Sequence, residues 1–301
     1  MVKSFALLAV FTSVVAAANA PIREVTSDAA VVSGMPVPAF SKGYIYWAGL
    51  EPLRIYTADG HPQPHISTPN GRVEAIAADT DGTLALAWTS ETTGGIDLHD
   101  PSGALVKTVQ TGRYRPTHLS FAEDHSLWCL GWQVDASNAH MPDKADYMII
   151  RRILADGQLA GAYLARSLFP RGLEPGAESW QQSNRITVSH NGVGLWVYSG
   201  MYGAKTEWVE LDLNGNLTGR WRLDQFVNDL RVAFTSDGHV FVYHRDLDGR
   251  NPGVHTLDRA SSTWQMVQSA PTGYLVSADG EALIFADFGL GPIHLRWYQH
   301  P

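Results

Sequence analysis

The chain has 301 residues, of which 45% are hydrophobic and 17% charged, enough apolar content for a large folded core. Its formal net charge is -8, and its lysines and arginines form no cluster along the sequence. Phosphate backbones are bound through such basic clusters, so no nucleic-acid partner is expected. The 28 glycines and 16 prolines, with little helical periodicity, favour a turn-rich β protein.

Residues 1–18 are predicted to be a secretory signal peptide. Lys3 precedes an apolar and small-residue run that ends in alanines, and this run is too short to span a bilayer. Signal peptidases cleave after a small-x-small pattern, which is present at Ala18 and at Ala20. Cleavage after Ala18 is favoured, because Pro21 would directly follow a cut after Ala20 and its fixed φ suits a peptidase cleft poorly. We therefore expect an exported protein, periplasmic or extracellular, with no membrane span after cleavage and one mature domain at 19–301.

Two series of predicted β-hairpins alternate along the mature chain. In the first series, an apolar strand meets a tight turn, usually Asp-Gly or Asn-Gly, and a second apolar strand follows. These dipeptides are the strongest short-range hairpin signal, because both turn residues must adopt a positive φ. The members are AFSKGYIYW (39–47), AIAADTDGTLALAW (75–88), LSFAEDHSLWCLGW (119–132), ITVSHNGVGLWVY (186–198), VAFTSDGHVFVYH (232–244) and LVSADGEALIFAD (275–287).

The second series supplies a further hairpin between these members. Its members are IYTADGHPQPHI (55–66), DLHDPSGALVKT (97–108), RILADGQLAGAY (152–163), ELDLNGNLTGRW (210–221) and TLDRASSTWQMV (256–267). Together the two series give four strands per unit, and six units at a spacing of about 40–50 residues, which is typical of a β-propeller.

We therefore predict an all-β, six-bladed β-propeller with four-stranded antiparallel blades. The last unit ends one strand short of this pattern. The segment IREVTSDAAVVSG (22–34) is apolar and β-branched, and it has no other obvious partner. We expect this N-terminal strand to close the last blade, so that no long sheet edge stays exposed.

This strand–turn–strand pattern resembles six-bladed propellers of the NHL, TolB and gluconolactonase-like type. RPTHLSFAEDHSLWCLG and NRITVSHNGVGLWVY are similar to the repeats of those families, in which Pro or Asn precedes an apolar strand, an Asp/Asn-Gly turn and an aromatic strand. The resemblance implies the fold, which many unrelated functions share. In gluconolactonase-like propellers, Glu, Asn and Asp from inner strands hold a divalent cation in the channel, and the resemblance implies Glu74, Asn184 and Asp229 for that role.

Loop lengths distinguish the two faces of the predicted propeller. In a four-stranded antiparallel blade, the first and third turns lie on one face, while the second turns and the links between blades lie on the other. The tight turns are all first or third turns, so they lie on one face, which we call the short-turn face. The long segments belong to the opposite, long-loop face, where binding is expected; they are 89–95, 133–146, 166–183, 199–205 and 245–253.

Aromatic side chains are predicted at the long-loop ends of the second strands. Such a ring would stack a sugar, a peptide or another flat ligand. In the alternative interpretation, the same side chains pack between neighbouring blades. The predicted contact ring comprises Trp88, Trp132, Tyr198 and His244, with Asn184 and Asp229 at the polar mouth of the channel.

Two functions from different classes follow. The first is a binding scaffold without catalysis or cofactor, whose partner is a small molecule, a carbohydrate, or a peptide or protein held at the long-loop face. The second is a gluconolactonase-like, metal-dependent hydrolase with Ca²⁺ or Mg²⁺ in the channel. Oxygen ligands from Glu74, Asn184 and Asp229 would suit these hard cations.

Overall fold

The computed structural model describes most of the chain from residue 20 onward. The described residues are 20–31, 39–47, 54–57, 59–63, 66, 71–134, 146–169, 185–197, 206–223, 228–245, 253–287 and 291–300. Within these ranges the side chains of 27–31, 39, 41, 47, 228–230, 244 and 245 are outside the description. The predicted signal peptide lies outside the described residues.

The described residues form 23 strands and one 3₁₀-helix, Arg166–Leu168. None of the helices in this part of the chain has the length and apolarity that a membrane crossing requires. The strands, numbered in chain order, are β1 (Arg23–Val31), β2 (Ala39–Ser41), β3 (Tyr44–Trp47), β4 (Arg54–Thr57), β5 (Arg72–Ala78), β6 (Leu84–Thr89), β7 (Gly94–His99), β8 (Leu105–Gly112), β9 (Tyr114–Phe121), β10 (Leu127–Gln133), β11 (Met148–Ile153), β12 (Leu159–Ala165), β13 (Ile186–Ser189), β14 (Gly192–Val197), β15 (Thr206–Leu211), β16 (Leu217–Leu223), β17 (Asn228–Phe234), β18 (Val240–Arg245), β19 (Gly253–Asp258), β20 (Thr263–Met266), β21 (Tyr274–Asp279), β22 (Ala282–Asp287) and β23 (Gly291–Gln299).

The strands assemble into separate antiparallel sheets in chain order. Sheet 1 contains β2–β4, sheet 2 contains β5–β8, sheet 3 contains β9–β12, sheet 4 contains β13–β16, and sheet 5 contains β17–β20. Sheet 6 has the order β1-β23-β22-β21. β1 pairs with β23 from Arg23 opposite Trp297 to Val31 opposite Gly291, and therefore lies at the outer edge of sheet 6.

The predicted turns explain why consecutive strands pair. Gly82, Gly103, Gly157, Gly215 and Gly238 all have φ between 79° and 88°. His125, which stands where the other first-series hairpins have glycine, also has a positive φ of 61°. The prediction of tight turns with a left-handed residue at these positions is confirmed.

Both faces of the sheets are covered by neighbouring sheets. Apolar clusters join sheet 1 to 2, 2 to 3, 3 to 4, 4 to 5 and 5 to 6, and a further cluster joins sheet 6 to sheet 1. The first strand of each sheet contacts the first strand of its neighbours, as between β5 and β9 or β17 and β21. Sheets that pack face to face around their first strands make a β-propeller.

The predicted number of four-stranded blades is wrong for the described residues. They contain five such blades, sheets 2 to 6, while sheet 1 has three strands. The chain does turn at Gly60 and run back along β4, since the Gln63 amide donates to the Ile55 carbonyl over 2.9 Å. However, the pairing is reduced to one isolated bridge between Tyr56 and Pro62. Proline lacks the N–H that a ladder needs, so a fourth strand is not formed there.

Substitution of Gly194 tests the packing inside sheet 4. A Cβ at Gly194 would lie 2.0 Å from Cζ2 of Trp208, a side chain with no exposed surface. We expect Gly194→Ala to lower the free energy of unfolding by about 1–3 kcal/mol, because a well-packed core resists added volume. Gly253→Ala is the matched control, since its Cβ would meet its nearest atom at 3.5 Å. Equal urea midpoints for the two variants would contradict this packing.

Candidate ligand site on the long-loop face

Trp88 lies at the long-loop end of β6, but it is almost completely buried. Only 2% of its surface is exposed. Its ring covers Gly95 in β7, where a Cβ would lie 2.3 Å from the ring atom Cζ2. Its indole N–H is buried and has no hydrogen-bond partner among the described residues. Trp88 therefore fills the space between strands at this end of sheet 2.

Trp132 does not hold the same position in sheet 3 as Trp88 holds in sheet 2. In β6, Trp88 is the fourth residue after Leu84 and lies opposite Val73. In β10, the fourth residue after Leu127, which begins that strand as Leu84 begins β6, is Gly131. Trp132 is one residue further on and lies opposite Arg115. Because side chains alternate between the faces of a strand, the two tryptophans do not continue one ring. Trp132 is half-buried against the core between sheets 3 and 4.

The other predicted contact residues are described only in part. Tyr198 and Asn184 lie outside the described residues. The backbones of Asp229 and His244 lie at the long-loop ends of β17 and β18, and their side chains are outside the description. These four residues stay predicted contacts.

Glu74, a predicted metal ligand, is held within its own sheet. Its Oε1 accepts a hydrogen bond from the Thr89 hydroxyl over 2.7 Å, and the Arg72 Nε lies 3.8 Å from the same oxygen. The carboxylate is therefore already neutralised and hydrogen-bonded by neighbours on β5 and β6.

The inner strands also carry basic side chains that the sequence interpretation missed. Arg115, Arg185 and Arg231 are 3%, 4% and 5% exposed. The Arg115 guanidinium donates to the Gly112 carbonyl over 2.9 Å. The sequence does contain a signal for them, since an arginine stands at or near the start of an inner strand in RPTHL, RITV and LRVAF. Three buried arginines therefore stand on or next to neighbouring inner strands.

His118 on β9 belongs to the same buried region. It is 4% exposed, and its Nδ1 lies 3.1 Å from the Thr117 hydroxyl. Burial, together with the positive charge of Arg185, holds the pKa of His118 well below its usual range. The imidazole is therefore neutral at physiological pH.

A cleft of about 480 Å³ opens on the long-loop face between sheets 5 and 6. Its walls come from the end of β18, the start of β19 and the link from β20 to β21. Tyr243 and Tyr274 form one side, with ring centroids 5.3 Å apart and planes tilted by 55°. Val254, Val267 and Ala270 add apolar surface, and Gln268 and Thr272 supply polar groups.

The cleft has the features of a small-molecule site. Such sites have volumes of about 300–1,000 Å³ and mostly apolar walls with a few polar groups. The sequence interpretation chose His244, the neighbour of Tyr243, and missed Tyr274. Tyr243 and Tyr274 are 31 positions apart in sequence, and the pair becomes visible only when sheets 5 and 6 pack together.

The opposite end of the channel is different. A polar cavity of about 140 Å³ lies at the short-turn ends of the inner strands and is lined in part by Ser120, Ser189, Ser236 and Ser277. The Ser120 hydroxyl oxygen accepts a hydrogen bond from the Val188 amide over 3.1 Å. Hydrogen bonds of this kind join neighbouring inner strands, so this end serves to hold sheets together.

No protein-family model and no curated protein matches the chain. Among solved structures it is similar to a Bacteroides fragilis protein predicted to be exported, with a TM-score of 0.54 and 8% identity over 94% of this chain and 97% of that one. It is similar to virginiamycin B lyase from Staphylococcus aureus, with a TM-score of 0.46 and 14% identity over 91% and 99% of the two chains.

TolB from Acinetobacter baumannii is a further similar structure, with a TM-score of 0.48 and 17% identity over 88% of this chain and 65% of that one. The chain thus spans less than two thirds of the TolB chain. At these identities the likeness to the Bacteroides fragilis protein shows a shared propeller fold, and it shows no activity.

The neutral state of His118 predicts a pH dependence of stability. Because the folded pKa is depressed, only the unfolded chain binds a proton as pH falls below about 6.5, so stability decreases there by up to about 1.4 kcal/mol per pH unit. We expect His118→Gln to remove this part of the pH dependence, while the exposed His61→Gln control keeps it. An NMR titration of the folded protein in which the His118 ring shifts move between pH 5 and 8 would contradict this assignment.

Proposed function

We propose that the protein is an exported β-propeller that binds a small ligand in the cleft between sheets 5 and 6, without catalysing a reaction. The observation that carries the proposal is the cleft itself, with Tyr243 and Tyr274 as its aromatic wall. Its long-loop location agrees with the usual placement of binding sites on loops above a rigid scaffold.

The chemistry of the cleft favours a ligand with one flat apolar face. A sugar ring or an aromatic ring stacks on tyrosine through dispersion and C–H contacts. Gln268 and Thr272 lie within the same lining and offer further hydrogen bonds. A carbohydrate or an aromatic side chain of a peptide meets both requirements.

The residues predicted from the sequence for the contact ring remain part of the proposal, except the buried Trp88. His244 follows Tyr243 directly in sequence, and Trp132, Tyr198, Asn184 and Asp229 are predicted for the same face. A ligand larger than one ring would extend from the cleft toward these residues and the mouth of the channel.

We also infer that the ring has six blades. The clusters that join sheet 1 to both sheet 2 and sheet 6 support the role of sheet 1 as the sixth blade. Residues 59–63, which run alongside β4, would take the place of its fourth strand. The pairing of β1 with β23 would then close the last blade.

Export rests on the pattern of residues 1–18. The Bacteroides fragilis protein with the shared fold is likewise predicted to be exported.

The hydrolase alternative has weaker support in the described residues. Glu74 is engaged by Thr89 and Arg72, and buried arginines lie on neighbouring inner strands. Purified protein that contained channel calcium or magnesium and lost activity on chelation would support the alternative.

A blocked-cleft variant tests the binding proposal. Saturation-transfer NMR with glucose, galactose, mannose, phenol and indole identifies a ring that binds. We expect Ala270→Phe, which fills the cleft, to weaken that binding at least tenfold, and Tyr274→Ala to weaken it by about 2- to 12-fold, as expected for the loss of one aromatic contact of about 0.5–1.5 kcal/mol. Ala104→Phe adds the same side chain in an exposed short turn and is the matched control.

Binding that is equally strong in Ala270→Phe and in Ala104→Phe would place the ligand elsewhere. If none of the five probes bound at millimolar concentration, the cleft would not be a site for flat rings.

A further inference from the structure

Three potential metal ligands converge on the short-turn face, at the end of the molecule opposite the cleft. Asp237 and His239 belong to the turn between β17 and β18 in sheet 5. His300 follows directly after β23 in sheet 6. Sequence spacing does not reveal this group, because His300 is 61 positions away from His239.

Both imidazoles face the same carboxylate oxygen. Asp237 Oδ2 lies 2.9 Å from His239 Nδ1 and 2.8 Å from His300 Nε2. The three ligand atoms all lie within 4.8 Å of one another. These are hydrogen-bond distances, so the protein arranges the three groups around one small volume through N–H bonds to the carboxylate.

Packing and outer hydrogen bonds fix this arrangement. The fully buried Thr235 donates its hydroxyl to Asp237 Oδ1, which leaves Oδ2 to the imidazoles. The His300 ring lies 5.0 Å from the His239 ring and 5.6 Å from the Phe241 ring, and only 11% of its side chain is exposed. Outer-shell contacts of this kind orient the ligands in metal sites.

The carboxylate is charged at neutral pH. Partial burial would raise the pKa of Asp237, but the hydrogen bonds from Thr235 and His239 and the charges of His239 and His300 outweigh burial and hold it well below its usual range. Metal binding would replace the N–H protons through which the two imidazoles contact Asp237.

We propose that Asp237, His239 and His300 bind one Zn²⁺ ion or a similar divalent transition metal, with a fourth position open to water. Two imidazole nitrogens and one carboxylate oxygen form a donor set that suits zinc, whereas Ca²⁺ and Mg²⁺ prefer six or more oxygens. Ligand bonds of about 2.0–2.2 Å in a tetrahedron place the ligand atoms about 3.3–3.5 Å apart. The two imidazole–carboxylate distances therefore need to lengthen by about half an ångström.

A second group on the same face provides an internal comparison. Asp79, Asp81 and His125 also place their ligand atoms within 4.8 Å of one another, and His125 Nδ1 lies 2.7 Å from Asp79 Oδ2. This group has one imidazole and two carboxylates, so it lacks the nitrogen pair that favours zinc over hard cations.

Zinc titration of the full chain, purified without a polyhistidine tag, tests the proposal. We expect one equivalent of Zn²⁺ to bind with micromolar or tighter affinity at pH 7.5, measured against a chromophoric chelator. Co²⁺ at the same site should give the intense visible absorption of a tetrahedral complex. At a Zn²⁺ concentration 100 times the Kd, Tm should rise by about 5 °C, because the ion links sheets 5 and 6.

Three variants locate the ion. His239→Gln and His300→Gln keep a polar side chain, and each should weaken zinc binding by more than about 100-fold, which exceeds the usual effect of losing an outer-shell partner. Thr235→Val should weaken it by about 10–100-fold through the loss of carboxylate orientation. His125→Gln, from the comparison group, should leave the affinity unchanged.

The absence of saturable zinc binding would overturn the proposal. Zinc binding of unchanged strength in the double variant His239→Gln/His300→Gln would also overturn it, since the ion would then lie elsewhere. His239 has a side chain that is 53% exposed, so His239→Gln keeps the test decisive even if His300→Gln fails to fold.

Discussion

The structure depends on sheets that are buried on both faces. Every residue of β7, β14 and β15 is buried, while the outermost strands β8 and β16 are largely exposed. A sheet of this kind cannot face water on either side, so it must have a packed neighbour on each. When such sheets are arranged around an axis, each one has a neighbouring sheet packed on both of its faces. This requirement explains why the apolar clusters run from sheet to sheet and why one of them joins sheet 6 back to sheet 1.

The same requirement gives the two ends of the molecule different chemistry. Short hairpin turns need Asp and Gly, and at most of them an aspartate oxygen accepts a backbone N–H two residues on, as Asp81 does from Thr83 and Asp124 from Ser126. The short-turn face is therefore rich in fixed carboxylates. Asp237 differs because its Oδ2 faces two imidazoles, those of His239 and His300. At the other end, longer connections leave space, and the cleft forms where the link from β20 to β21 passes between two sheets.

Local sequence patterns predicted the local structure well. The Asp-Gly turns predicted the hairpins correctly. The alignment of His125 with the turn glycines predicted a left-handed residue, and His125 has a positive φ in the structure. Sheet 1 was predicted to have four strands because its turn at Gly60 matches the Asp-Gly turns of the other sheets. The segment after this turn contains Pro62, which has no N–H to donate to a strand ladder. Trp132 was placed one residue too far along β10, and a shift of one residue reverses the face. The cleft and the Asp237 group join residues from different sheets, which periodicity within one strand cannot reveal.

Both proposed sites lie across the same interface, at opposite ends of sheets 5 and 6. Between them lies a core in which Phe241, Leu275 and Phe285 are at most 2% exposed. Coupling between two sites needs an element with two discrete arrangements that both ligands bias. A densely packed core of aromatic and aliphatic side chains offers one arrangement, since a different packing would open cavities. An ion at the short-turn end would therefore raise the stability of the interface without altering the shape of the cleft. The two sites should bind their ligands independently.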